Sequence, residues 1–268
     1  MNILFAALIA TTLYLLCTLG LLLHLRQSPV LMDINKTSLL APGFLALTAH
    51  SYILYATMIN PMGINFGFYS SLSLISASIT LLVLFSSLRH PIEILGIMVM
   101  PVATFMIVMD ILQSTSHIIV TDGSTGLLFH ILSSIIAYSV LGVAAAYAIM
   151  LSIQNSFLHR HQPGGFIRLL PPLKTMESLL FETIIIGFIC LSISLASGFI
   201  FLEDIFAQHL VHKTTLSIFA WIVFAILLFG HWFIGWRGRT AIRWTLGGFF
   251  SLMLAYFGSK FVLEVLLG

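Results

Sequence analysis

The sequence predicts an all-α membrane protein: a polytopic bundle of eight transmembrane helices with both termini extracytoplasmic. Three observations carry that reading. Of 268 residues, 59% are hydrophobic and 7% charged, whereas a soluble domain carries about 25% charged residues. With a mean hydropathy of +1.10, too little polar surface exists to cover a water-soluble body of this size. Charge and turn residues also divide the chain into eight apolar segments of spanning length, about 20 residues being what the hydrocarbon core requires. Finally, the basic residues collect on one side when eight helices are threaded alternately.

In chain order the segments cover 3–25, 39–60, 67–87, 92–113, 127–153, 178–202, 214–234 and 243–266. Each is expected to be helical, because in lipid the backbone donors and acceptors must be satisfied within the segment. The first segment lacks a basic leading region and an A-x-A-type cleavage site, and is read as a retained helix. Between the segments lie "RQSPVLMDINKTS", "NPMGINFG", "RHP", "STSHIIVTDGSTG", "HRHQPGGFIRLLPPLK", "EDIFAQHLVHK" and "GWRGRTAIR". All read as loops, and no soluble domain is left over, so a single integral membrane domain spans 1–268.

Orientation follows from charge. Arg26, Lys36, Arg89, Arg160, Arg168, Lys174, Arg237, Arg239 and Arg243 fall on one side, and only Lys213 and Lys260 on the other. That bias places the loops at 26–38, 87–91, 154–177 and 235–242 in the cytoplasm. The small net charge of +2, with no run of basic residues, excludes a nucleic-acid partner; the bilayer is the partner expected. Cys17 and Cys190 sit in apolar runs with no CxxC or Cys/His spacing and read as small embedded hydrophobes.

Ionisable groups in the spans lie near their ends. Lys260 and Glu264 have the i, i+4 spacing of a pair, Asp110 is close to the outer boundary and Glu182 to the inner one. They read as anchors. A proton- or cation-coupled carrier would need carboxylates near mid-membrane and broken or repeated helices, which this sequence does not present. Nor is there a Ser/His/Asp set, a phosphate-binding loop or an HExxH motif, so no enzyme is expected.

Histidine is different. His24, His50, His130 and His231 lie in or at the ends of spans, and His209 and His212 lie in the outer loop before the seventh. A neutral imidazole is tolerated in a low-dielectric site, and it serves equally as a metal or haem ligand and as a hydrogen-bonding link between helices. His24, beside Arg26 at the interface, fits the second role. For His130, with Ser134 and Tyr138 one and two turns along, both roles stay open. His209 and His212, spaced i, i+3, could share a ligand or belong to a solvated loop. In "GWRGR" (235–239), Arg237 and Arg239 fit a cytoplasmic anchor, and Trp232 and Trp236 an interfacial aromatic belt.

Four stretches, "HILSSIIAYSVL" (130–141), "SGFIF" (197–201), "AWIVFAILLFGHWFIGWRGR" (220–239) and "AYFGSKFV" (255–262), together resemble the C-terminal core of the haem-handling cytochrome c assembly superfamily, the CcsA, ResC, CcmC and CcmF proteins. The short HemX-like branch, without large extracytoplasmic insertions, is the most similar. The likeness is best over 126–266 and extends more weakly to about residue 40 through "AHSYILY" and "GINFGFYSSLSLIS". It implies haem as cofactor or cargo, held by His130 as an external ligand, with His50 and His231 as intramembrane ligands to the metal. His231 is displaced from its usual place relative to the GW landmark. The haem exporters carry a Trp-rich loop where this sequence has "FLEDIFAQHLVHKTT", without tryptophan, and a second external histidine is missing. His209 or His212 would be its replacement. The resemblance thus implies a haem-binding protein of a bacterial cytoplasmic (inner) membrane, working with a cytochrome c maturation component. The alternative is a non-catalytic partner in tetrapyrrole synthesis or CorC-type divalent-metal efflux.

Overall fold

The computed structural model describes residues 2–26, 34–61, 63–113, 118–119, 125–159, 170–201 and 211–258. Nearly all are helical: α1 (Ile3–Leu25), α2 (Lys36–Met58), α3 (Phe68–Arg89), α4 (Glu93–Leu112), α5 (Thr125–His159), α6 (Leu173–Phe201), α7 (Val211–Phe229) and α8 (Gly238–Met253). α7 continues as a π-helical turn, Gly230–Ile234, and α8 as another, Leu254–Gly258. Among the described residues seven helices, α1 to α7, are long and apolar enough to cross a membrane. The eighth expected span overlaps α8 and its π turn, which are not long and apolar enough to count among these; its remainder, with Lys260 and Glu264, lies outside the described residues, as do His209, Arg160 and Arg168.

Among the described residues, strands form in one place. Ile59–Asn60 (β1), Gly63–Asn65 (β2) and Ile118–Ile119 (β3) form a small antiparallel sheet in the order β1-β2-β3. Ile59 pairs with Ile64, and Ile64 with Ile119. Ile59–Asn60 falls at the end of the second predicted span and the other two strands in predicted loops; strands this short, set among turn residues, carry no period-2 signal long enough to detect. Gly63, at φ 145°, takes a backbone conformation that a side chain would disfavour.

The chain divides into two compact units, 1–122 and 123–268. In the first, the principal helix packing runs α1 to α2, α2 to α3, α3 to α4 and α4 back to α1. The second repeats this ring with α5 to α8. Small residues let the helices close. Gly43 on α2 lies where a Cβ would be 3.0 Å from Leu84, 3.1 Å from the Cys17 sulfur and 3.2 Å from Met100, so α1, α3 and α4 all converge on it. Pro42 beside it already lacks the N–H that a helix interior would use. Many hydroxyls inside the spans return to their own helix, as from Thr11 to the Ala7 carbonyl (2.7 Å) and Thr80 to that of Ser76 (2.8 Å).

α5 and α6 outrun their predicted segments. At 1.5 Å per residue, the 35 residues of α5 span roughly 52 Å against about 30 Å of hydrocarbon. The extra turns flank the 160–172 connection, where Gln154 donates to the Pro171 carbonyl at 3.0 Å. At the charge-rich end of the first unit, Lys36 pairs with Glu93 at 2.6 Å and donates to the His90 carbonyl at 2.8 Å.

Candidate functional site

His130 lies five residues into α5, about 8 Å along its axis. Its Nδ1 is 2.9 Å from the Ser194 carbonyl and 3.2 Å from Ser197 Oγ, both on α6. A carbonyl can only accept, so Nδ1 carries the proton and Nε2 the lone pair. A backbone-anchored Nδ1–H, here with no partner at Nε2 among the described residues, is the arrangement that fixes tautomer and ring orientation in metal-ligating histidines. The surroundings are hydroxylic. Ser134 meets Ser194 at 2.7 Å and donates to the His130 carbonyl at 2.7 Å, while Ser133 donates to that carbonyl at 3.0 Å. Ser197 donates to the Ser194 carbonyl at 2.8 Å. The half-buried ring is therefore held by α6.

Tyr138 does not join this cluster. Its hydroxyl donates to the Leu252 carbonyl on α8 at 2.5 Å, and its ring packs against Tyr256 and Phe257. Each four-residue step rotates a side chain by about 40°, so by Tyr138 the face has turned from α6 to α8.

His231 sits in the π turn at the end of α7. Its Nδ1–H donates to the Trp236 carbonyl at 3.0 Å, and its ring stacks on Phe181 of α6, centroids 3.5 Å apart and planes 16° from parallel. The Gly-Trp-Arg-Gly turn builds this contact. Gly235 (φ 79°) and Gly238 (φ 54°) are both left-handed, and the Trp236 indole lies where a Cβ on Gly230 would collide with it. Glu177 on α6 accepts the Gly238 N–H at 2.5 Å, placing a carboxylate at the positive end of α8. His130 meets α6 at Ser194 and His231 meets it at Phe181, positions roughly 20 Å apart along that axis. One iron cannot take both as axial ligands.

His50 belongs to the first unit and is fully buried. Its Nδ1 is 3.3 Å from the Tyr14 hydroxyl and its Nε2 2.9 Å from Ser73 Oγ, so α1, α2 and α3 are tied through one ring with both nitrogens engaged. Ligation there would require giving up one of these bonds. Asp110, buried at the end of α4, receives the Ser70 hydroxyl at 2.6 Å and that of Thr57 at 3.4 Å. His212 is exposed in the first turn of α7, and His24 is half-buried in the last turn of α1. Among the described residues no three His, Cys, Asp or Glu side chains gather as a metal site.

Sequence reasoning did not single out Ser194, Ser197 or Phe181. The i, i+3 serines in "SLASG" were the available signal, being small hydroxyls that let a neighbouring side chain reach the backbone. Phe181 has no signature within an apolar run.

The sequence model of the family described as "Cytochrome C assembly protein" matches residues 38–267. Among individual proteins, "Inner membrane protein YpjD" of Escherichia coli (strain K12) is 34% identical over 145 residues, 54% of this chain and 55% of its own length. An uncharacterized 28.8 kDa protein of Azospirillum brasilense is 34% identical over 154 residues, 56% of this chain and 57% of that protein. "Cytochrome c biogenesis protein CcsA" of Prochlorococcus marinus (strain MIT 9215) is 23% identical over 201 residues, 66% of this chain and 62% of that protein. The chain thus spans about half the length of the first curated relatives it matches. No solved structure matches it.

Proposed function

The chain belongs to the cytochrome c assembly protein family, and from that membership we propose that it is a haem-binding membrane protein that holds or hands on haem through an intramembrane histidine. It makes no bonds of its own. The observation that carries this reading is the state of His130, whose Nδ1–H is anchored on the Ser194 carbonyl at 2.9 Å, with no hydrogen bond to Nε2 among the described residues. Such a donor fits an axial position on haem iron, a bond that a neutral imidazole supplies. Serines 133, 134, 194 and 197 hold its backbone and ring in place. The His50 ring, closed on both sides, fits a structural link better than a ligand. His231, stacked and oriented at the far end of the second unit, would serve a separate haem or none.

The test is an absorption spectrum of full-length protein purified from haem-replete cells. A Soret band that survives purification, with roughly one haem per chain under a single open axial imidazole, is the expected result. Protein without haem under those conditions favours the second reading, a non-catalytic regulatory partner in tetrapyrrole synthesis or CorC-type divalent-metal efflux. That reading has its own observation: "FLEDIFAQHLVHKTT" lacks the tryptophans with which the haem exporters cradle a porphyrin.

The same proposal sets the protein in a bacterial inner membrane with both termini outside, as the one-sided basic residues require. A reporter fused after Arg160 should then read cytoplasm, and one fused after Gly123 the outer side. The opposite result at both points would refute the orientation.

A further inference from the structure

One outward face of α8 carries a pattern that haem binding does not use. Arg239 and Arg243 are exposed there, followed by exposed Gly247 and Phe250 and then Leu254 in the π turn. At 100° per residue these five positions lie within a sector of about 80°. Arg237, also exposed, precedes the helix as its extended N-cap residue. None of the three arginines makes an ion pair or hydrogen bond among the described residues. The carboxylate that reaches this turn, Glu177, is already taken by the Gly238 N–H. Three arginines against one carboxylate leave this end of the helix net positive.

Below the arginines the face is notched. A Cβ placed on Gly247 would have no atom within 4 Å, so the helix offers an open shelf between Arg243 and the Phe250 ring. From Arg243 to Leu254 the face extends roughly 16 Å, about half of the ~30 Å hydrocarbon core and so the depth of one leaflet.

We propose that this face binds one anionic phospholipid of the adjoining leaflet. The guanidinium groups of Arg239 and Arg243, with Arg237, contact the phosphate, and an acyl chain lies over Gly247 against Phe250 and Leu254. Guanidinium forks suit phosphate oxygens geometrically, and unpaired arginines at the headgroup level are attracted to anionic lipid. The apolar track below them distinguishes this site from a general surface charge. A neutral lipid would leave the arginines uncompensated, and a free phosphate would leave the track unused.

Native mass spectrometry of the full chain in detergent, with phosphatidylglycerol or phosphatidylcholine added, tests this. Wild-type protein should retain one phosphatidylglycerol in preference to phosphatidylcholine. R239A/R243A should lower that retention on the order of tenfold, as the loss of two headgroup-level cations implies, and R239K/R243K should lower it less. Gly247→Leu, which fills the shelf and leaves every charge in place, should lower it as well. Equal retention of the two lipids by wild type, or unchanged phosphatidylglycerol retention in R239A/R243A or in Gly247→Leu, would overturn the proposal. So would a fall in haem content with lipid retention intact, which would assign the arginines to haem carboxylates instead.

Discussion

His130→Ala should strip haem from the purified protein, lowering haem content by more than about tenfold at matched expression; even the loss of a partner that merely orients a ligand typically costs 10- to 100-fold. The contrast lies with two other histidines. His24→Ala should carry haem as the parent does, because His24 belongs to the interfacial end of α1. His50→Ala should keep haem per folded molecule and lose stability instead. It breaks the bonds to Tyr14 and Ser73, each worth about 0.6 kcal/mol on average and up to about 1.7 in a membrane, and it leaves a cavity where a buried ring had been. Haem content and Soret position are read beside an unfolding midpoint. An unchanged spectrum in His130→Ala defeats the ligand assignment; haem loss without destabilisation in His50→Ala moves the ligand to the first unit.

Gly187→Val should cost the second unit about 1–3 kcal/mol or more, the usual range for overpacking a close-fitting core. α5 and α6 make the most extensive helix contact among the described residues, and Gly187 lies at a close approach between them. A Cβ there would lie 2.5 Å from Leu141 Cδ2 and 2.7 Å from its Cγ, and Leu141 is fully buried with no free direction to move. The same displacement would draw Ser194 away from His130, so haem content should fall together with the unfolding midpoint. Leu141→Ala in the Gly187→Val background should restore part of both, because it removes the atoms that collide. Gly187→Val protein as stable as wild type, with no effect of the second substitution, would refute this account of the packing.

The spans and the site separate what sequence patterning can encode from what packing decides. Segments such as 3–25 and 67–87 are legible because lipid offers the backbone no partner, so a long apolar run has one low-energy conformation. The pairing of Lys36 with Glu93 shows the limit of that reading. Both lie at segment ends, where charges are expected, but which carboxylate meets which amine depends on how α2 and α4 approach. The ends of α5 and α6 were missed because Gln154, Asn155 and Lys174 look like loop residues; polar helical turns beyond the hydrocarbon are no longer marked by hydropathy.

By itself the sequence determined a helical membrane protein of the cytochrome c assembly family, and marked the imidazoles that could serve it. The tertiary structure alone decided which faces are inside. In water an amphipathic stripe announces the buried face, but a helix surrounded by lipid is apolar all round. Nothing in "TLYLLCTLG" therefore tells Tyr14 and Cys17, which are buried, from Leu15, Leu16 and Leu19, which face outward. The same holds for the histidines. His50 and His130 are equivalent as letters in apolar runs, and they differ because Tyr14 and Ser73 engage both nitrogens of one, whereas the Ser194 carbonyl anchors one nitrogen of the other and no described residue bonds the second.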